Sequence, residues 1–182
     1  FGPMSGGVDY FPHCGANGQH DLWFGEAERA QEGYLTDLIT DYSLDYIERM
    51  AEGAQGDTPF FLSVHYTASH WPWETRDDEA LSRELVENQQ AIYHLHGGNV
   101  DSYRRMIHHM GEGIGRIMRS LRANGLFEDT LVHRLHMNQK DHVHQVFHPR
   151  ICNIGAGQGV GVELFGELLF LGNRHELPPG NS

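Results

Sequence analysis

The sequence predicts an α/β domain with a mostly parallel sheet flanked by helices. Two observations carry this prediction: a continuous apolar run at residues 58–66, and a long amphipathic pattern at residues 101–123 that leads into Thr-Leu-Val. A strand that is apolar on both faces is typical of a parallel sheet. Strand, helix and strand in this order form a βαβ unit with parallel strands. A chain of 182 residues is long enough for one domain with a real core and short for two.

The spacing of apolar residues predicts the individual elements. The first thirty residues are rich in Gly, Pro and Asn without a sustained period, which predicts loop. Apolar residues three and four apart in residues 34–50 predict an amphipathic helix that stops at Gly53. The β-rich run TPFFLSVHY (58–66) predicts a buried strand, and a polar helix is expected at residues 78–90.

The helix of residues 101–123 has the clearest pattern. Asp101 or Ser102 can cap its start, and an Asn-Gly pair at 124–125 predicts its end. Glycine in a helix costs up to about 1 kcal/mol relative to alanine. We therefore expect close packing against a neighbour, such as a sheet, at three glycines: Gly111, Gly113 and Gly115.

Composition restricts the classes of function. The formal net charge of −12 argues against nucleic acid as a partner, because phosphate binding needs a basic face. No apolar stretch approaches the roughly 20 residues that span a bilayer. Cys14 and Cys152 lack any metal-binding spacing and could form a disulfide or remain two buried thiols.

His70 is the strongest candidate for a functional side chain. It lies just after the predicted buried strand, and ligands of open α/β sheets bind beyond the carboxyl ends of the strands. An imidazole there could contact an anionic substrate oxygen or protonate a leaving group. The alternative is a loop histidine that bonds to the backbone beside two tryptophans. His65 is still inside the strand and is expected to be part of the sheet.

Two other histidine pairs carry weaker signals. His94 and His96 alternate near a glycine break, but no acidic or cysteine partner stands at a supporting interval, which favours a surface loop over half of a metal site. His108 and His109 fall on the polar side of the long helix and are expected to be solvated.

The last fifty residues change in character. The stretch HRLHMNQKDHVHQVFH is rich in histidine, and His142 with His144 could bind a transition metal, although unpatterned enrichment is weak evidence. The segment GAGQGVG (155–161) keeps neither the dinucleotide spacing GxGxxG nor GK[ST], so we discount it as a phosphate loop.

Three stretches of the chain recur, in the same order, in one family: GYLTDLITDYSLDYIERM (33–50), TPFFLSVHYTASHWPW (58–73) and YRRMIHHMGEGIGRIMRSLRANGLFEDTLV (103–132). Together they resemble the sulfatase family of the alkaline-phosphatase-like superfamily. The resemblance covers roughly residues 1–132 and implies the middle part of a catalytic domain, a fragment of the alkaline-phosphatase-like sandwich. Residues 133–182 lack the family's continuation V-F-T-S-D-N-G, so we expect an atypical tail, either out of frame or disordered.

The resemblance implies hydrolysis of a sulfate ester, either a small molecule or a sulfated glycan. In the family, a formylglycine attacks sulfur while a calcium ion polarises the sulfate. Only His70 can be carried over, because SHWP matches the family's x-H-x-P histidine, which contacts sulfate. Ser69 stands where many relatives have Pro, and Gly111 where they have Asp. Because sulfatases are often exported or lysosomal, the resemblance implies a location in the periplasm, the extracellular space or the lysosome.

Several family motifs are absent from the 182 residues. The nucleophile motif C-x-P-S-R, the first acidic metal pair and K-W-H-x-G do not occur, and Asn138 and Asp141 do not keep the D-N-G arrangement. We therefore assign no formylglycine and no calcium ligand, and expect a fragment that is inactive as an isolated chain. The alternatives are a phosphodiesterase or phosphatase of the same superfamily, and a non-catalytic metal- or partner-binding domain that uses the His-rich tail.

Overall fold

The computed structural model describes residues 1–4, 7–15, 18–52, 59–87, 98–136, 143–147 and 166–172; for Val86 and from residue 134 onward it describes the backbone alone. Within these ranges the chain is a mixed α/β structure. Its helices are α1 (Leu35–Glu52), α2 (Glu79–Glu87) and α3 (Val100–Ala123), and its strands are β1 (Trp23–Phe24), β2 (Ala27–Glu28), β3 (Phe60–His65), β4 (Thr130–His136), β5 (Val143–Phe147) and β6 (Gly166–Gly172).

The predicted helices and the two predicted strands are present, with ends that differ by a few residues. α3 begins at Val100, one residue earlier than expected, and its cap is Asn99 rather than Asp101 or Ser102. The Asn99 side-chain oxygen accepts from the backbone N–H of Asp101 at 2.9 Å and of Ser102 at 3.1 Å. The predicted end is confirmed, since Asn124 caps the helix and Gly125 takes a left-handed φ of 69°.

The larger sheet that the structure describes does not have the mostly parallel arrangement that the sequence predicts. Its order is β3-β6-β4-β5, and each neighbouring pair in it is antiparallel. β3 and β4 both run antiparallel to β6, so they share one direction, as the predicted βαβ unit requires. The difference arises because β6, from the last third of the chain, lies between the two strands that were expected to neighbour each other. The division of the chain at residue 132 stays a prediction.

The core lies between α1, α3 and β3. α3 buries Met106, Met110, Ile117 and Leu121 at no more than 1% exposure, which confirms the apolar stripe read from the sequence. Gly113 meets the close packing expected of it, because a Cβ there would collide with Thr40 Oγ1 and lie 2.8 Å from the Tyr66 hydroxyl. Gly111 instead faces open space. Among the helices that the structure describes, none is both long and apolar enough to cross a membrane.

The first thirty residues contain more structure than the predicted loop. β1 and β2 form a small antiparallel ladder, and the Phe1 ring stacks on Tyr42 of α1 with 3.8 Å between ring centroids. The Leu22 side chain is fully buried, so this segment forms part of the domain.

Candidate functional site

His70 lies in a loop that begins where β3 ends. We call residues 66–76 the His70 loop. The His70 backbone N–H donates to the Thr67 carbonyl at 2.7 Å and closes a turn. Ala68 and Ser69 within that turn are buried. The sequence places His70 after the predicted strand, and in the structure it lies in the loop that follows the carboxyl end of β3.

The His70 ring is held by two neighbours. Its Nδ1 lies 2.6 Å from the Trp71 carbonyl oxygen. A carbonyl can only accept, so Nδ1 carries the proton of this bond, and in the neutral ring the lone pair is on Nε2. The backbone of Gly7 packs against the ring, because a Cβ at that position would lie 2.8 Å from His70 Cε1. The expected backbone bond of a loop histidine is thus present, and it orients the ring.

Behind His70, the loop is attached to residues 7–11 by buried polar groups. The Tyr10 hydroxyl donates to the His70 carbonyl at 3.0 Å, and the Tyr10 N–H donates to Glu74 Oε2 at 3.3 Å. Asp9 Oδ1 accepts from the Phe11 N–H at 3.1 Å and from the Ser82 hydroxyl of α2 at 2.9 Å. The Phe11 bond lies within residues 7–11, and the other three contacts join the His70 loop or α2 to this segment.

Asp9 and Glu74 form a buried carboxyl pair, with exposed fractions of 6% and 5%. Burial, and after it the neighbouring Asp9 carboxyl, raise the pKa of Glu74 to about 9. Glu74 is therefore protonated at neutral pH and can donate to Asp9, which avoids two adjacent buried carboxylates. The Glu74 carbonyl also accepts from the Tyr34 hydroxyl at 2.8 Å.

Arg76 joins the end of the His70 loop to both long helices. Its Nε and Nη2 each lie 2.7 Å from an oxygen of Asp37 in α1, and its Nη1 lies 2.6 Å from Glu112 Oε2 in α3. This bidentate hydrogen bond from Arg76 to the Asp37 carboxylate fixes the plane of the guanidinium group. The same contacts raise the pKa of Arg76 above its usual range and lower that of Glu112.

The other candidate histidines do not join His70. His65 lies in β3, as expected, and its Nε2 is 2.7 Å from the Ser63 hydroxyl. It lines a cavity of about 630 Å³ between the amino-terminal segment, α1 and β3, and His70 is not among the lining residues. His108 is solvated, as expected, but the same expectation for His109 is wrong.

His109 is 8% exposed, and its ring packs edge-on against Tyr34, the residue just before α1, with 5.8 Å between ring centroids. Burial lowers its pKa. The helical pattern misassigned it because a position at the border of the apolar face is decided by what packs there.

Among the remaining candidates, those that the structure describes give no site. Cys14 is a free, half-buried thiol that donates to the Pro12 carbonyl at 3.3 Å. In the part of the chain that the structure describes, no three His, Cys, Asp or Glu side chains are grouped so as to hold a metal ion. Several sequence candidates lie outside the described side chains: His94, His96, Asn138, Asp141, His142, His144, Cys152 and the segment 155–161.

Sequence patterns missed the residues that hold the His70 loop. Gly7, Asp9 and Tyr10 fall in a segment without periodicity, and Glu74 looks like an ordinary polar residue after an aromatic turn. Val8, Asp9 and Tyr10 are buried in succession, which neither a helical nor a strand period describes. Only their proximity to residues some sixty positions later identifies them.

Comparison with known proteins gives one family. The family model described as Sulfatase matches residues 4–146, which extends past residue 132 into β5. An uncharacterized sulfatase of Escherichia coli (strain K12), YdeN, is 25% identical over 135 residues, which are 71% of this chain and 22% of the relative. The chain thus spans about a fifth of the length of that curated relative. No solved structure matches the chain significantly.

Proposed function

Because the chain belongs to the sulfatase family, we propose that it forms part of a catalytic domain that hydrolyses sulfate esters. The substrate class is a sulfated small molecule or a sulfated glycan. The observation that carries the proposal is the position of His70. Its imidazole follows β3 in the chain, and the Trp71 carbonyl oxygen lies 2.6 Å from Nδ1, so we assign the contact with the substrate to Nε2.

His70 acts on the sulfate group in this proposal. When the ring is cationic, Nδ1–H stays on the Trp71 carbonyl and Nε2–H donates to an anionic sulfate oxygen. The same proton can pass to the oxygen of the leaving alcohol as its bond to sulfur breaks and an attacking oxygen nucleophile, which the described residues do not supply, forms the new bond to sulfur. The backbone bond removes the rotational freedom of the ring, so less ordering is required when the substrate binds.

Within the described part of the chain, no residues fit the formylglycine or the calcium site of the family. The described residues form no metal-binding group, and Cys14 is followed by Gly-Ala-Asn rather than by the nucleophile motif. We propose accordingly that this chain by itself does not turn over a sulfate ester.

The decisive experiment replaces His70 in the full protein that contains this chain. His70→Ala should lower the rate on a sulfate ester at least about tenfold, the low end of acid–base contributions. His65→Ala is the matched control, because this histidine lies five residues earlier, at the end of β3, and its replacement should leave the rate nearly unchanged. Equal rates for wild type and His70→Ala would remove His70 from the mechanism.

The isolated chain supplies the second measurement. A purified, metal-checked sample should not hydrolyse nitrophenyl sulfate, and clear turnover would contradict the proposed inactivity. Assaying nitrophenyl phosphate with the full protein separates the two hydrolase classes: faster phosphate cleavage would favour the phosphatase alternative.

A further inference from the structure

We propose that Gly7 and Tyr10 are positioning residues that set the orientation of the His70 imidazole, an inference that rests on the proposed function for its catalytic meaning. They contact His70 from opposite ends. Gly7 limits where the ring can lie, and the Tyr10 hydroxyl holds the backbone carbonyl of the same residue.

Gly7 acts by leaving no room for a side chain. A Cβ there would lie 2.8 Å from His70 Cε1, 3.3 Å from Nδ1 and 3.6 Å from Nε2, so the methyl group would meet the ring along one edge. The φ of Gly7 is outside the left-handed region, so an alanine fits its backbone without strain. The ring is the nearest obstacle, and a side chain can rotate away.

Rotation of the ring would break a specific bond. Nδ1–H reaches the Trp71 carbonyl at 2.6 Å only in the present orientation, and that bond selects the tautomer with the proton on Nδ1. Gly7→Ala therefore removes the hydrogen bond that selects the Nδ1–H tautomer. The fold should survive, because the added methyl displaces one side chain and no backbone.

Tyr10 acts on the other end of His70. Its ring is fully buried and lies 5.4 Å from the Tyr34 ring, so its hydroxyl is fixed opposite the His70 carbonyl. Tyr10→Phe keeps the packing and removes the hydrogen bond alone. We expect a smaller change in the His70 ring than Gly7→Ala causes, because the Thr67 turn still restrains the backbone.

The test is nitrogen NMR on the full chain with labelled histidine, in alkaline solution where the imidazoles are neutral. His70→Ala identifies the His70 signals. Wild type should give the pattern of a proton fixed on Nδ1, and Gly7→Ala should move both nitrogen signals towards their average. Gly111→Ala is the matched control, because it adds the same methyl group in open space and should leave them unchanged. Unchanged His70 signals in Gly7→Ala would overturn the proposal.

Kinetics of the full protein then separate this inference from the proposed function. Gly7→Ala should lower kcat by about tenfold or more, since small misplacements of reacting groups cost up to about a hundredfold. If Gly7→Ala shifts the His70 nitrogen signals while Gly7→Ala and His70→Ala both keep normal rates, the result would support positioning and overturn the catalytic role of His70. A reduced rate in His70→Ala with unchanged signals and rate in Gly7→Ala would overturn positioning and keep that role.

Discussion

Two neighbouring regions of this molecule are held together in different ways. The contact between α1 and α3 is built from fully buried apolar side chains such as Leu35 and Ile117, with ion pairs only along its exposed border. The His70 loop is attached to residues 7–11 by polar groups, above all the Asp9–Glu74 pair. Apolar contacts tolerate small shifts, whereas hydrogen bonds require fixed atoms. A loop that must hold an imidazole in one orientation benefits from attachment by hydrogen bonds.

The largest effect should come from the apolar contact. Ile117→Ala removes a side chain that is fully buried in α3, and we expect a loss of about 2–5 kcal/mol in the free energy of unfolding. Urea unfolding measures it, and Val100→Ala at 58% exposure is the control with little expected change. The loss should be the same at acid and alkaline pH; a strong pH dependence would break the contrast between the two regions.

The polar region should respond to pH instead. The pKa of Glu74 is about 9 in the folded chain against its ordinary 4.5, so between these values the folded state binds one proton more than the unfolded state. The part of the free energy of unfolding that depends on this proton is fully present below about pH 4.5 and is lost as the pH rises through about 9.

Glu74→Gln removes that titration and keeps a donor towards Asp9. At the alkaline end of the window, the variant should exceed the wild type by more than about 1 kcal/mol, the equivalent of one pKa unit. Urea unfolding across the window measures the difference, with the exposed Glu48→Gln as control. Parallel pH profiles for wild type and Glu74→Gln would show that the buried pair does not keep its proton.

A smaller loss of stability is expected at Tyr66, where the His70 loop meets α1. The Tyr66 hydroxyl, in the His70 loop, donates at 2.8 Å to Thr40 Oγ1 of α1, whose own proton goes to the Thr36 carbonyl. Tyr66→Phe should cost about 1 kcal/mol, the net worth of a typical hydrogen bond. Thermal unfolding measures this cost, and the half-buried Tyr46→Phe should lose less. An equal loss in both variants would argue against the Thr40 bond.

The smallest effect should come from the border of the helix pair. Arg116 Nη2 lies 2.6 Å from Asp41 Oδ1, but the two side chains are 40% and 55% exposed. Exposed ion pairs contribute between about 0 and 1 kcal/mol and are screened by salt. A double-mutant cycle with Arg116→Gln and Asp41→Asn should give a coupling energy near the lower half of that range, falling at high salt. A large coupling that is insensitive to salt would contradict this ranking.

The sequence by itself determined the elements whose residues share one local period. The three-and-four spacing in α1 and α3 follows from 3.6 residues per helical turn, and the apolar run at residues 58–66 located β3. The prediction that this strand is buried on both faces is wrong, because Phe61 is 57% exposed and His65 is exposed as well. The position of His70 after β3 and the membership in the sulfatase family are local in the same sense, because ordered short motifs carry them. Local patterns could not predict that β6 lies antiparallel between β3 and β4, because strand order depends on which distant segments pair.

Only the tertiary structure decided how His70 is held. Gly7 and Tyr10 lie some sixty residues before it, and their roles arise from contact with its ring and its carbonyl. The same holds for Glu74, whose protonation requires burial beside Asp9, and for His109, whose ring packs against Tyr34, the residue just before α1. Periodicity reports which face of an element is apolar; it carries no information on which atom meets which across the fold. The sequence thus determined where the candidate histidine stands, and the packing of distant segments determined which way it points.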